Sequence, residues 1–580
     1  MVRTLAKQIK GYKKDTILTP VFTALEVIME VLIPYITARI IDEGITGHNM
    51  GKIWEFGGIM IGMAILSLAF GVFGGLYGAK ASTGFAKNLR QAMFENVQTF
   101  SFSNIDKFST AGLVTRMTTD VTNIQMAFQM LLRIAVRAPL MLIFSLVMCI
   151  VISPRISLIF LVVLVFLGAV LGPIAARVTK LFRQMFDQYD ELNASTQENI
   201  AGIRVVKAFV REDYESTKFT RACKKLYDTA VKAQGRMVIA FPAMMLAIYA
   251  TMIGISWFGA KLIVAGDMTT GDLTSLFSYV MGVLMSLMML AIVIVMIVMS
   301  VASAQRICAV LEEKPDIVNP ESPRMEVPDG SINFNHVDFS YKTGKGEKTL
   351  QDIDIHIQSG ETIGVIGGTG SGKTSLVNLI PRLYDVENGS VTVGGYDVRE
   401  YDLETLRDKV SVVLQKNELF SGTILSNLRW GNKDATLEQC KEACRMACAD
   451  EFIDQFPDGY DTRIEQGGTN VSGGQKQRLC IARALLKDPK ILILDDSTSA
   501  VDTATDAKIR NAFRDYIPDT TKIIISQRVS SVQDADRILV LDDGKVNGFD
   551  THENLLKENP IYQEIYEAQI KAGGDFDEPN

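Results

Sequence analysis

Eight consecutive residues, Gly367-Gly368-Thr369-Gly370-Ser371-Gly372-Lys373-Thr374, fit the pattern G-x-x-x-x-G-K-[ST] and directly follow the apolar run Thr362-Ile363-Gly364-Val365-Ile366. Such an order reads as a buried strand, a phosphate-binding turn and the start of a helix, with Ser375 extending the candidate nucleotide contacts. Glycines let the backbone curl so that its N–H groups converge on phosphate oxygens. Lys373 adds a mobile positive charge, and the Thr374 hydroxyl is placed to ligate Mg²⁺. A glycine-rich turn with a chance lysine is the competing reading, and the remaining motifs weigh against it.

The run Ile491-Leu492-Ile493-Leu494-Asp495 predicts a buried strand ending in a carboxylate, the position from which a phosphate-loop protein holds a metal ion. Gln415, after the predicted strand 410–414, is a candidate for reaching that metal or a water. Val471-Ser472-Gly473-Gly474-Gln475 sets a serine and two glycines at a helix start, where free backbone N–H groups can bind a phosphate. Tyr341, in Phe339-Ser340-Tyr341, precedes the loop at a point where its ring either stacks on a base or simply packs.

These motifs occupy the second half of a chain whose first half has a different composition. With 580 residues, 48% of them hydrophobic, the chain is too long for one core and too apolar for a wholly soluble protein. Six apolar runs at 17–41, 53–77, 126–152, 156–176, 237–264 and 273–301 are each near or above the ~20 residues that cross a bilayer. Basic residues crowd the N-terminus (Arg3, Lys7, Lys10, Lys13, Lys14) and the second and fourth connections. The odd connections carry only Lys52, Arg155 and Lys261, so both ends are expected on the cytosolic side.

The long even connections, 78–125 and 177–236, are expected to be helices continuing into the cytosol, with breaks at 106–119 and 198–209 where a short transverse helix can lie. Glu26 and Glu30 in the first span and Arg133 and Arg137 in the third are costly at membrane depth. They either bridge one another or form a polar patch in a substrate pathway. Met281, Met285, Met288, Met289, Met296 and Met299 offer an adaptable apolar wall or ordinary packing. Prolines 315, 320, 323 and 328 mark a linker, dividing the chain into 1–310, 311–330 and 331–580.

A net charge of −7 argues against a nucleic-acid binder. Seven cysteines without a zinc-type C-x-x-C pair point to reduced thiols, and Cys440, Cys444 and Cys448 are expected to pack along one helix face rather than hold a metal. The first apolar run is too long for a cleavable signal peptide and has no small-residue cleavage site after it.

Taken together, residues 367–374, Gln415, Val471 to Gln475, Leu494-Asp495 and Ser499-Ala500-Val501-Asp502 resemble the Walker A, Q-loop, signature, Walker B and D-loop of an ATP-binding-cassette ATPase. Six spans fused to one cassette resemble a half-transporter of the multidrug ABC exporter family, over nearly the whole chain. The resemblance implies a six-helix α-helical transmembrane domain joined to an α/β P-loop NTPase in the cell membrane, with the N-terminus and ATPase domain cytosolic. It implies ATP and Mg²⁺ as cofactors, with Thr374, Gln415 and Asp495 as metal ligands and Asp502 in the D-loop. Two chains would pair so that each phosphate loop faces the other's signature, the two breaks would be coupling helices, and hydrophobic or amphiphilic substrates would leave by alternating access.

Two positions depart from the family pattern. Asp496 stands where hydrolytic members have the glutamate that polarises water, which retracts the carboxylate by roughly 1.5 Å, one C–C bond. A misplacement of that order can cost about 10²-fold. Gln527 stands where the family has its switch histidine, so the group can hydrogen-bond to a γ-phosphate but offers no titratable proton. The pattern resembles one subunit of a heterodimeric exporter that supplies the Walker motifs of a degenerate site. A slow homodimer, an ATP-gated regulatory or channel-like protein, and a lipid or peptide exporter are the other readings.

Overall fold

A computed structural model describes residues 1–341 and 348–573. The chain forms two compact units: Met1–Gln98 with Thr110–Glu313, and Thr99–Ser109 with the chain from Lys314 onward.

Among the described residues of the first unit, six helices are long and apolar enough to cross a membrane: Lys13–Thr46, Met50–Gln98, Thr110–Ile152, Pro154–Ala201, Glu212–Ala265 and Thr270–Glu312. Local chemistry fixes their ends. Pro154 starts the fourth at a position where its missing N–H costs nothing. Thr269 and Asp272 form a reciprocal cap on the sixth. Asp42 reinforces that start, accepting from the Thr269 hydroxyl at 2.6 Å and the Gly271 N–H at 2.9 Å, a carboxylate at the positive end of a helix.

Val27, Ile156, Phe160, Ile255, Leu276 and Tyr279 are central to the apolar core of this unit. Within it, Arg137 donates to Glu26 at 2.5 Å and to Glu30 at 2.6 Å, so three of the four intramembrane charges form one bridged cluster, with Arg133 outside it. Asp120, only 1% exposed, accepts from Arg306 at 2.7 and 2.5 Å and from the Ser303 hydroxyl at 2.8 Å, tying the third span to the sixth.

The breaks in the long connections differ from one another. The second contains the short helix Ile203–Ala208 after a kink at Gly202, inside the predicted 198–209. The first corrects the expectation of 106–119: its short helix is Phe102–Phe108, opened by a Ser101/Asn104 cap and closed by Ser109 at φ +50, and the residues after it already belong to the third span. That helix belongs to the second unit.

The second unit holds strands β1 (Ile332–Phe339), β2 (Leu350–Ile357), β3 (Thr362–Gly367), β4 (Asn388–Val393), β5 (Tyr396–Asp397), β6 (Val410–Val413), β7 (Gly422–Thr423), β8 (Arg463–Ile464), β9 (Ile491–Asp495), β10 (Thr521–Ile525), β11 (Arg537–Asp542) and β12 (Lys545–Asp550). They build an antiparallel sheet β2-β1-β4-β5, a six-stranded sheet β12-β11-β3-β10-β9-β6 and the small pair β7-β8. From β11 to β6 the large sheet is parallel, with β12 added antiparallel at its edge. Every residue of β9 and β10 is buried, which is why β9 reads as an apolar run up to Asp495 and β10 as three successive isoleucines after Thr521 and Lys522, rather than as alternating strands.

The segment read as a linker, 311–330, begins with the last turn of the sixth helix, which ends at Glu312. Its later part joins the second unit, where Val327 is buried in the sheet core and Arg324 bridges to Tyr401. The cysteine stripe is also corrected. Cys440 and Cys444 are buried on helix Leu437–Met446, but the helix stops before Cys448, which takes a left-handed conformation at φ +52. All three pack in the core.

Candidate nucleotide-binding site

Parallel strand order explains how motifs far apart in sequence meet. The phosphate loop leaves the carboxyl end of β3, Gln527 follows β10, Asp495 closes β9 and Gln415 follows β6, and these four strands are consecutive neighbours in the sheet. Ligands of open parallel sheets bind at this edge.

The loop closes tightly on its own strand. Gly372, at φ +94, precedes helix Lys373–Leu379 with its Cα facing Leu350 and the Thr349 carbonyl, where a Cβ would lie 2.7 Å from Leu350 Cδ2. Gly368, Thr369 and Gly370 form the exposed outer rim, while Ser371 and Ser375 are buried. Lys373 Nζ donates to the carbonyls of Gly367 at 2.9 Å and Gly368 at 2.7 Å, so the ammonium is held against the loop itself. Burial keeps it below the ordinary lysine range, with the Asp495 and Asp496 charges acting the other way.

Opposite the loop, the Thr374 hydroxyl donates to Asp495 Oδ1 at 3.1 Å. That is the one hydrogen bond the Asp495 carboxylate accepts among the described residues, although the residue is only 3% exposed. Burial therefore pushes this carboxyl up, and Asp496 adds to the effect. A buried carboxylate with spare acceptor capacity beside a threonine hydroxyl is a hard-oxygen donor set suited to a small divalent cation. Gln415 stands exposed at the next strand end and makes no hydrogen bond to this pair.

The two departures from the family pattern meet each other. Asp496, held at φ +47, accepts at Oδ2 from Gln527 Nε2 at 3.3 Å. Tyr341 bonds through its hydroxyl to Ser375 Oγ at 2.9 Å and sets its ring edge-on to Phe339 and Tyr384. Tyr384 escaped the sequence reading. It donates to Asp106 of the short helix Phe102–Phe108 at 2.7 Å, and burial together with that carboxylate pushes its phenol up.

Ser472 caps helix Gly473–Leu485, Gln475 completes the reciprocal cap, and Val471 packs against the core. Among the described residues this signature makes no hydrogen bond to the phosphate loop. It is held against the D-loop instead: Gly474 approaches the Ala500 carbonyl so closely that a Cβ would lie 2.8 Å from it. Gln477, also missed in the sequence, donates to Ser499 Oγ at 3.3 Å and accepts from the Ala500 N–H at 3.0 Å. Asp502 caps helix Thr503–Tyr516, accepting from the Thr505 N–H at 2.9 Å, and that bond holds its carboxyl below the usual range.

A glycine loop between a buried strand and a helix, faced by a strand-terminal aspartate in a parallel sheet, defines a P-loop nucleotide-binding domain, here fused to a six-helix membrane unit. Residues 16–288 match the ABC transporter transmembrane region family and residues 350–499 match the ABC transporter family. The uncharacterized ABC transporter ATP-binding protein YfiB of Bacillus subtilis is 35% identical over 549 residues, 95% of each chain. An uncharacterized ABC transporter ATP-binding protein of Mycobacterium tuberculosis, Rv1273c, is 35% identical over 572 residues, 98% of each chain. The ATP-dependent lipid A-core flippase of Desulfotalea psychrophila is 33% identical over 492 residues, 83% of this chain and 84% of the flippase. A bacterial Atm1-family ABC exporter solved with ATP bound shares the fold at TM-score 0.81 and 22% identity, over 96% of this chain and 99% of that one. The chain belongs to the ABC transporters, as a multi-pass membrane half-transporter with its own ATP-binding domain.

Proposed function

We propose that this chain is one subunit of a heterodimeric ATP-driven exporter, that its own Walker motifs form a degenerate ATP site, and that its signature completes the hydrolytic site of a homologous partner. The observation that carries the reading is the Asp496–Gln527 contact at 3.3 Å. A carboxylate already accepting from the switch-position amide, and one methylene shorter than glutamate, is poorly placed to polarise an attacking water. The groups that bind rather than cleave are all retained. Lys373 and the loop N–H groups receive the phosphates, and Tyr341 stands beside Ser375 with its ring half exposed for a base. Thr374 and Asp495, with Gln415 nearby, would hold Mg²⁺, which bound there neutralises charge on the phosphate oxygens.

In this reading the ATPase domain and the N-terminus are cytosolic, and the cargo is hydrophobic or amphiphilic. The name of the lipid A-core flippase relative supports an amphiphilic cargo. The competing ATP-gated or channel-like protein would bind nucleotide and change shape without vectorial transport, so substrate movement in sealed vesicles separates the two. The test of degeneracy is an asymmetry. Asp496→Asn removes a charge but no working base, so ATPase of the mixed complex falls less than threefold, whereas the equivalent Glu→Gln in the partner cuts it by about 10² or more. Equal damage from the two changes would make Asp496 a true catalytic base and defeat the proposal.

A further inference from the structure

The C-terminal helix Pro560–Gly573 reaches back to the nucleotide site through one side chain. Gln569 uses both ends of its amide on the main chain of the switch loop: Nε2 donates to the Gln527 carbonyl at 2.7 Å, and Oε1 accepts from the Val529 N–H at 2.8 Å. The pair brackets Arg528, so the turn carrying Gln527 is clamped on both sides in the way a neighbouring strand would clamp it. Arg528 adds a third restraint, donating through Nη2 to the Ser499 carbonyl at 3.3 Å.

The far end of the helix is rigidly seated. Tyr562 is fully buried, its N–H donates to Asn559 Oδ1 at 2.9 Å, and its hydroxyl meets His552 Nδ1 at 2.7 Å. Asn559 in turn donates to the Asn547 side chain at 2.8 Å. A helix fixed at its base and bonded near its tip to a loop resists displacement of that loop. The loop's side-chain product is the Gln527–Asp496 contact.

We infer that Gln569 is a positioning residue of the nucleotide site: it latches the switch-loop backbone and so fixes where the Gln527 amide stands relative to Asp496 and a bound γ-phosphate. This makes the C-terminal helix part of the apparatus that retains nucleotide, and it deepens the degenerate-site reading, on which it rests for its biological purpose. A glutamine serving only the stability of its own helix would have no reason to spend donor and acceptor together on another element.

The test uses the full-length chain in detergent with MgCl₂ and a fluorescent ATP analogue, following dissociation after a chase with excess ATP. Gln569→Met keeps volume and helix preference but makes neither bond. Release should quicken about 3- to 10-fold, as expected for losing one or two neutral hydrogen bonds. Gln569→Glu keeps the acceptor for Val529 and loses the donor to Gln527 at neutral pH, so release should also quicken. On acidification toward the ordinary glutamate value near 4.3 the protonated acid again donates and accepts, and its release rate relative to wild type should return toward unity. Wild-type release from Gln569→Met, or a Glu-to-wild-type ratio independent of pH, would overturn the inference. Brisk ATP turnover by this chain would instead defeat the degenerate-site reading while leaving the latch series intact.

Discussion

Asp495 sits in an environment that works against its own charge. It is buried, bonded only to the Thr374 hydroxyl among the described residues, and adjacent to Asp496. Its folded pKa is raised, so above that value the ionised form destabilises the nucleotide-free fold in full, and the penalty shrinks as pH falls from the folded value toward the lower unfolded one. Asp495→Asn should therefore raise the unfolding temperature without nucleotide at pH 7.5, by about 2–4 °C for each kcal/mol relieved in a domain of this size. The same change should abolish the Mg²⁺-dependent part of nucleotide affinity, and the thermal advantage should shrink toward acid pH. A variant that unfolds at or below the wild-type temperature at neutral pH would contradict this account. Asp495, Lys373 and Ser472 were legible from sequence because phosphate and metal chemistry demands fixed residue types at fixed local spacing. Tyr384, Gln477 and Gln569 were not, since each acts through a contact made only after folding and carries no spacing rule.

The first and third spans are joined by a charge cluster whose energetics follow from its pairing. Arg137 serves Glu26 and Glu30 at once, and its side chain is 27% exposed against 14% for Glu26. Removing the guanidinium leaves Glu26 without its partner in a largely buried place, while Glu30 is 40% exposed and partly solvated, so the loss is about 1–3 kcal/mol rather than that of a fully buried pair. Arg137→Met should thus lower stability to denaturant-induced unfolding in detergent micelles. Adding Glu26→Gln and Glu30→Gln to it should recover most of the loss, since the cost lies in the unpaired charge. A triple variant no more stable than Arg137→Met would show that Arg137 acts through packing. The spans themselves were readable because a bilayer imposes length and composition on a helix. Their cytosolic detail was less so. The Phe102–Phe108 helix was misplaced because its start depends on a cap using Asn104 rather than Glu or Gln, and its end on Ser109 adopting positive φ. Cys448 was misplaced for a related reason: helix Leu437–Met446 ends with a cysteine in the left-handed position where a glycine would have announced the stop.

Across the whole molecule, the site holds the phosphate loop and Asp495 together and joins Asp496 to Gln527, while the signature is built against the D-loop rather than its own phosphate loop. On the proposed degenerate-site reading, such a chain would need a second chain to present a signature to its ATP, and a different second chain to supply a working base. The purified chain should therefore bind MgATP yet turn it over at least tenfold more slowly than the complex with its natural partner, the scale set by a displaced carboxylate. Within that complex, nucleotide on the Lys373 loop should outlast several turnovers at the partner's site, because retention depends on contacts that the hydrolytic cycle next door does not break. Labelled nucleotide trapped on the complex and followed through a chase distinguishes the sites once Lys373→Ala has identified the signal belonging to this chain. Two release phases, with the slow one lost in Lys373→Ala, are expected. A single phase shared by both sites, or brisk ATPase from this chain alone, would mean that Asp496 and Gln527 support ordinary hydrolysis despite their geometry.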